Sequence, residues 1–276
     1  MTEVAELSLS DLKKLISFIH GHYHFDFSDY AMSSFKRRVA RILQLHSITS
    51  IDDLIKKIED KEFYDEFIRE ITVNHTEMFR APSFWRKLRD QALPQLSYNN
   101  PIRIWSAACS SGEEVYSLTI VLSEMGLLDK VKIVASDIND KVVEKAKQGS
   151  YWMRSLEVNE RNYERFEGGK KLSDYYTLSG DNYIMHKELL KNVTFKQYDL
   201  VSAQEFLKFD LILCRNVMIY FNPELQDKVV KLFNNSLFMK GFLAVGEKET
   251  IAFCKSADRF ETFSAEERIY RKIKDY

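Results

Sequence analysis

The 276-residue chain has only three cysteines, Cys109, Cys214 and Cys254. They are odd in number, far apart and form no C-x-x-C pair, which argues against a disulfide framework or a thiolate zinc site and points to a reducing compartment. Four prolines and nine glycines are too few for a collagen-like or low-complexity chain. No stretch approaches the roughly 18 consecutive apolar residues that a membrane span needs. The N-terminus, MTEVAELSLSDLKKL, carries acids where a secretory signal has a basic region. Neither charge dominates, since 40 Lys plus Arg face 41 Asp plus Glu, a formal net charge of −1, so no global field draws the protein to nucleic acid or an anionic membrane. The phosphate-cradling patterns GxGxxG and GxxxxGK[ST] are also missing, which removes the main support for a dinucleotide or triphosphate ligand. The expectation is a soluble cytoplasmic protein without direct membrane insertion or nucleic-acid binding.

With 45% hydrophobic and 29% charged residues the chain is globular, and its length suits one large or two smaller domains. The first hundred residues read as helix. Leu12, Leu15, Ile16 and Ile19 form one helical face behind the capping pair Ser8 and Asp11. Phe35, Val39, Ile42 and His46 mark a second helix, and Ile51, Leu54, Ile55 and Ile58 a third behind Ser50 and Asp53. Beyond Pro101, strand-like runs alternate with helical ones at about 113 to 125, 139 to 148 and 223 to 238. The strand candidates are IRIW (102 to 105), KIVAS (132 to 136), VTFKQY (193 to 198), FDLILC (209 to 214) and GFLAVG (241 to 246). Their apolar continuity suits parallel strands covered on both faces, the βαβ rhythm of a doubly wound sheet. Residues 150 to 191, polar, aromatic and carrying the short runs YYTL and NYIM, read as an inserted small β subdomain.

In such a sheet the ligand sits outside the carboxyl ends of the strands. After IRIW comes SAACSSGEEVYSL, small residues closing on Gly112 and a helix that opens with Glu113 and Glu114. Two acids at a helix start repel phosphate, so the ligand expected there is cationic or hydroxyl-rich. Asp137, ending the second strand, falls near the spacing at which an acid takes a ribose hydroxyl. The pair suggests an adenosyl amino acid such as S-adenosylmethionine, although acids at helix N-termini are more commonly just favourable dipole or cap residues.

Four further runs are specific as a set: VNHTEMFR (73 to 80), RIWSAACSSGEEVYS (103 to 117), ASDIND (135 to 140) and FDLILCRNVMIYF (209 to 221). In order and spacing they resemble the chemotaxis-receptor glutamate methyltransferases, the CheR family, over nearly the whole chain. The resemblance implies a helical N-terminal domain (residues 1 to 81) with a basic substrate-recognition helix. It also implies a Rossmann-like α/β domain (82 to 276) that binds S-adenosyl-L-methionine and carries the inserted β subdomain (150 to 191). It implies further that Asn74, Thr76 and Arg80 line the cofactor, Glu114 holds its methionine part, Asp137 its ribose, and Asp199 and Leu200 its adenine region, while Arg215 and Asn216 form the floor. Arg80 and Tyr220 would be catalytic, Tyr220 beside the reacting methyl. Met78 stands where the family usually has Phe, and Asp199 where it often has Asn.

The implied activity is O-methylation of glutamates on the cytoplasmic helical domains of chemoreceptors, giving methyl esters and S-adenosyl-L-homocysteine without a metal. A glutamate carboxylate is already ionised at neutral pH, so the absence of a Ser/His/Asp or Cys/His arrangement agrees with this chemistry. Cys109 and Cys214 read as small buried residues, and Trp85, Trp105 and Trp152 as packing residues. His20, His22 and His24 are spaced by two and cannot share one helical face, which disfavours a metal site. The cluster Lys36, Arg37, Arg38 and Arg41, with no acid between Asp29 and Asp52, is the expected docking face for an acidic receptor. A monomer is expected. The alternative is a catalytically inactive cofactor-binding regulatory or scaffold protein of the same fold.

Overall fold

The computed structural model describes residues 7–23, 25–72, 76–201 and 207–275. The chain divides into two compact units, one of Met1–Asn74 with Ile219–Lys228, the other of His75–Met218 with Val229–Tyr276.

The first unit is helical: α1 (Leu9–Tyr23), α2 (Met32–Leu45), α3 (Ile51–Ile58) and α4 (Lys61–Ile71). The expected caps form, because Ser8 and Asp11 bond reciprocally through side chain and backbone N–H, and the Ser50 side chain accepts from Asp53 N–H. Leu12, Leu15, Ile16 and Ile19 of α1 are buried with Phe35, Val39 and Ile42 of α2 and Leu54 and Ile58 of α3. Within this core Phe27 lies tilted against Phe35 and meets Phe67 edge-on.

The second unit opens with a helical run, α5 (Pro82–Lys87), a π-turn (Leu88–Ala92) and α6 (Leu93–Leu96). An α/β sheet follows, with β1 (Ile102–Ala107), α7 (Glu113–Glu124), β2 (Val131–Asp137), α8 (Asp140–Gln148), β6 (Val193–Gln197) and β7 (Phe209–Cys214). The intervening β3 (Ser150–Trp152), α9 (Leu156–Phe166), β4 (Tyr176–Ser179) and β5 (Asn182–Met185) form the insert. Helix α10 (Pro223–Ser236), β8 (Leu237–Val245), β9 (Phe260–Ser264) and β10 (Ile269–Lys272) complete the chain. The seven-stranded sheet has the order β6-β2-β1-β7-β8-β10-β9, with the first five parallel and β10 antiparallel to both neighbours. Every residue of β7 is buried, as suits a central parallel strand, and its one polar residue, Asp210, accepts from Asn99 Nδ2 and Arg103 N–H.

The insert holds the expected antiparallel sheet, ordered β3-β5-β4, but it also holds α9, which the polar composition concealed. The stripe of that helix is Leu156, Asn159, Asn162, Tyr163 and Phe166, helical in period yet partly polar, and all five side chains are buried. Trp152 is a second departure, since it is 55% exposed instead of packed.

Candidate functional site

Chain order reverses between β1 and β7, which places the crevice of a doubly wound sheet at their carboxyl ends. The loop leaving β1 reaches Gly112 at φ 93°, and a Cβ there would stand 2.8 Å from Ala146 Cβ, so only glycine allows helix α7 to begin so close to α8. Glu113 and Glu114 therefore enter at the carboxyl end of the central strand β1. Ser111 Oγ donates to Glu113 Oε2 at 2.8 Å, and Ser106 Oγ donates to Glu114 Oε1 at 3.1 Å. Burial pushes Glu113 up to about 7, against the donation from Ser111 and the charge of Lys145.

From β7, Arg215 meets Glu114 with Nη1 to Oε2 at 3.4 Å, donates from Nη2 to the Arg80 carbonyl at 3.2 Å, and lies 3.9 Å over the Phe84 ring. Both partners are desolvated, with 4% of the Arg215 side chain and 15% of the Glu114 side chain exposed, so the pair holds its geometry against water. Burial raises the Glu114 carboxyl and lowers the Arg215 guanidinium, and each is partly restored by the other. The structure thus brings Arg80, Glu114 and Arg215 together. Arg215 Nε and Ser110 Oγ are buried with no hydrogen-bond partner among the described residues.

Asp137 is buried at the end of β2, and both its oxygens are held: Oδ2 accepts from Ser110 N–H at 2.8 Å and Oδ1 from Asn139 N–H at 3.1 Å. These bonds tie the β1 loop to the β2 loop, while burial raises the carboxyl. Each oxygen keeps a lone pair for a further donor. Asp199 follows β6, where its Oδ1 accepts from Val201 N–H at 2.8 Å, and Leu200 is buried beside it. Thr76 is half-buried in the run before α5, and Asn74 lies outside the described residues, as does His24.

Sequence reasoning missed Glu249. The tight turn after β8 closes through Glu249 N–H to the Gly246 carbonyl at 2.9 Å, folding the Glu249 side chain back. Its Oε2 accepts from Asn216 N–H at 2.9 Å and from Gly246 N–H, so one buried carboxylate pins the ends of β7 and β8. Asn216 is held at φ 64°, and a Cβ at Gly246 would stand 2.6 Å from Glu249 Oε2 and 2.7 Å from Asn216 N. A glycine followed by an acid three residues on, after a buried strand, was the available signal.

The first unit carries the other proposed residues. On α2, Arg37 and Arg41 are exposed and Lys36 half-buried. Arg38 is turned inward, donating to the Ile71 carbonyl at 2.7 Å and lying 4.3 Å over the Tyr220 ring. Tyr220 ends a 3-10 turn (Met218–Tyr220), and its carbonyl accepts from Ala31 N–H at 2.8 Å. His20 and His22 lie on the exposed face of α1. Burial pushes the Cys109 and Cys214 thiols well up, which leaves both poor nucleophiles. Among the described residues no helix is long and apolar enough to cross a membrane, and no group of three or more His, Cys, Asp or Glu is placed to hold a metal ion.

A family model described as CheR methyltransferase, SAM binding domain, matches residues 74–269, and one described as CheR methyltransferase, all-alpha domain, matches residues 10–72. The Pseudomonas putida protein Cher3 is 38% identical over 263 residues, 95% of this chain and 96% of its own length. A chemotaxis protein methyltransferase of Listeria innocua is 33% identical over 230 residues, 82% of this chain and 84% of its own. That of Borreliella burgdorferi is 31% identical over 260 residues, 89% of each chain.

Proposed function

Given that the chain belongs to the CheR methyltransferase family, with an S-adenosylmethionine-binding domain and an all-helical domain, we propose that it O-methylates glutamate side chains on the cytoplasmic helical regions of chemoreceptors. The observation that carries this reading is the buried convergence of Glu114, Arg215 and the Arg80 carbonyl where strand order reverses. The residues suit the cofactor. Small side chains from Ala107 to Gly112 leave the backbone approachable, Glu114 and Asp137 offer anionic acceptors to an ammonium and a ribose, and Arg215 Nε and Ser110 Oγ are buried donors still free to bond.

The bound sulfonium supplies an electrophilic methyl group, which passes to a substrate carboxylate as the C–S bond breaks, giving a methyl ester and a neutral thioether. No proton moves, so no general base is needed at neutral pH. What remains for the chain is alignment and dryness. Glu114, kept in place by Ser106 and Arg215, orients the amino-acid end, and Asp137, fixed by two backbone N–H groups, orients the sugar. Arg80 and Tyr220 act at the reacting end, Arg80 by aligning the substrate carboxylate. Arg37 and Arg41, exposed and four residues apart on α2, recruit the acidic receptor helices.

The test is transfer of labelled methyl groups from S-adenosylmethionine to purified receptor cytoplasmic fragments. Label on the fragments that mild base releases as methanol supports the reading. Label that resists base, or that goes to nucleic acid instead, opposes it.

A further inference from the structure

Arg80 stands between two non-glycine residues in the left-handed region, Phe79 at φ 52° and Ala81 at φ 54°. Such a backbone persists only where its surroundings over-determine it. Among the described residues, the groups that hold Met78 come from helix α9 of the insert, about eighty residues away. Asn159 Oδ1 accepts from Met78 N–H at 2.9 Å, and Asn162 Nδ2 donates to the Met78 carbonyl at 3.0 Å. Both backbone groups of the residue before Phe79 are thereby taken, one by each amide.

The choice of asparagine follows from the pattern of donors and acceptors. Asn159 must accept from Met78 and still donate, which it does from Nδ2 to the Tyr183 hydroxyl at 2.7 Å. Aspartate at 162 would set a carboxylate against a carbonyl, and leucine at either place would leave a buried backbone group without a partner. The same helix grips the next residue by packing, since Phe79 stacks on Phe166 with centroids 4.9 Å apart and meets Tyr163 edge-on at 5.0 Å. Ser117 Oγ takes the Phe79 N–H at 2.8 Å. The side chains of Asn159 and Asn162 are almost wholly buried and have no role in the chemistry described above.

We propose that Asn159 and Asn162 are positioning residues for Arg80, so that the inserted subdomain holds part of the methyl-transfer site in shape. This rests on the reading of Arg80 as a site residue. The test is a double-mutant cycle. Asn159→Ala and Asn162→Ala are each combined with Arg80→Ala, and three quantities are measured: cofactor affinity by calorimetry, methyl-transfer rate on receptor fragments, and exchange of the Met78 and Phe79 amides by NMR.

Each asparagine variant is expected to speed exchange at those amides. Each should also lower, by about tenfold, whichever of affinity and rate Arg80→Ala itself lowers, the loss that one unmatched buried group corresponds to. In the Arg80→Ala background the asparagine changes should have no further effect. If the alanine variants do not fold, Asn159→Gln and Asn162→Gln, which keep the amide but move it by one methylene, are expected to give the same pattern. Losses that multiply in the Arg80→Ala background, or folded variants that match the wild type, would overturn the positioning role. An Arg80→Ala protein equal to the wild type in affinity and rate would instead remove Arg80 from the site, and with it the premise.

Discussion

Glu113 makes a prediction whose sign can be worked through. Its carboxyl is buried, bonded to Ser111 Oγ and influenced by Lys145, and burial lifts it to about 7 from an ordinary value of 4.5. Because the folded value lies above the unfolded one, the fold binds the proton more tightly, and stability is greatest below pH 4.5 and falls as pH rises toward 7. At 1.36 kcal/mol for each factor of ten in proton affinity, Glu113 withdraws about 2 to 3 kcal/mol of stability between roughly pH 5 and 8. Glu113→Gln removes the titration while keeping shape and an acceptor for Ser111. Urea unfolding of both proteins across this range reads the difference, which is expected to grow in favour of the glutamine variant with rising pH and to level off above about 8. A difference that stays flat with pH, or that grows in favour of the wild type, would refute the claim that Glu113 is a desolvated acid.

Other consequences can be checked separately. Asp137→Ala should weaken S-adenosylmethionine binding by about 1.5 to 3 kcal/mol, since a charged acceptor is lost, and calorimetry on the folded variant reads it. The same variant frees the Ser110 and Asn139 N–H groups, so its urea midpoint should fall as well. Arg80→Ala and Tyr220→Phe should lower turnover more than cofactor affinity, as steady-state kinetics beside calorimetry will report. The Arg37→Glu, Arg41→Glu double variant should lose receptor methylation at low salt, and the loss should shrink as the Debye length falls below about 8 Å above physiological ionic strength. Arg38→Ala should slow transfer by an amount that salt does not change, because Arg38 is turned onto Tyr220 and the Ile71 carbonyl.

The central strands were legible because they are nearly uninterrupted apolar runs of the right length, and the bounds of β7, and of β5 in the insert, agree with FDLILC and NYIM. The helical start was legible for the same kind of reason, since Ser8, Asp11, Ser50 and Asp53 mark caps ahead of periodic stripes. Helix α9 was not, because two of its buried positions are asparagines whose partners lie about eighty residues away. Glu249 escaped for a related reason. An acid in a turn after a strand looks solvent-facing until tertiary folding brings Asn216 N–H within 2.9 Å of it. Arg38 shows the converse, since four basic residues close in sequence look like one patch, whereas helical period turns this one inward. Asp137 was singled out as a ribose acceptor from spacing alone, but spacing gave no hint that its carboxylate also ties two loops together.

The most direct test of the central claim is peptide mapping by mass spectrometry of a receptor cytoplasmic fragment incubated with this protein and S-adenosylmethionine. The account expects single methyl additions on glutamate side chains, removed by mild base, formed in step with S-adenosyl-L-homocysteine and lost with Arg80→Ala. Normal cofactor binding without any methylated glutamate, or methyl groups on other side chains, would contradict it and leave a cofactor-binding scaffold or another substrate.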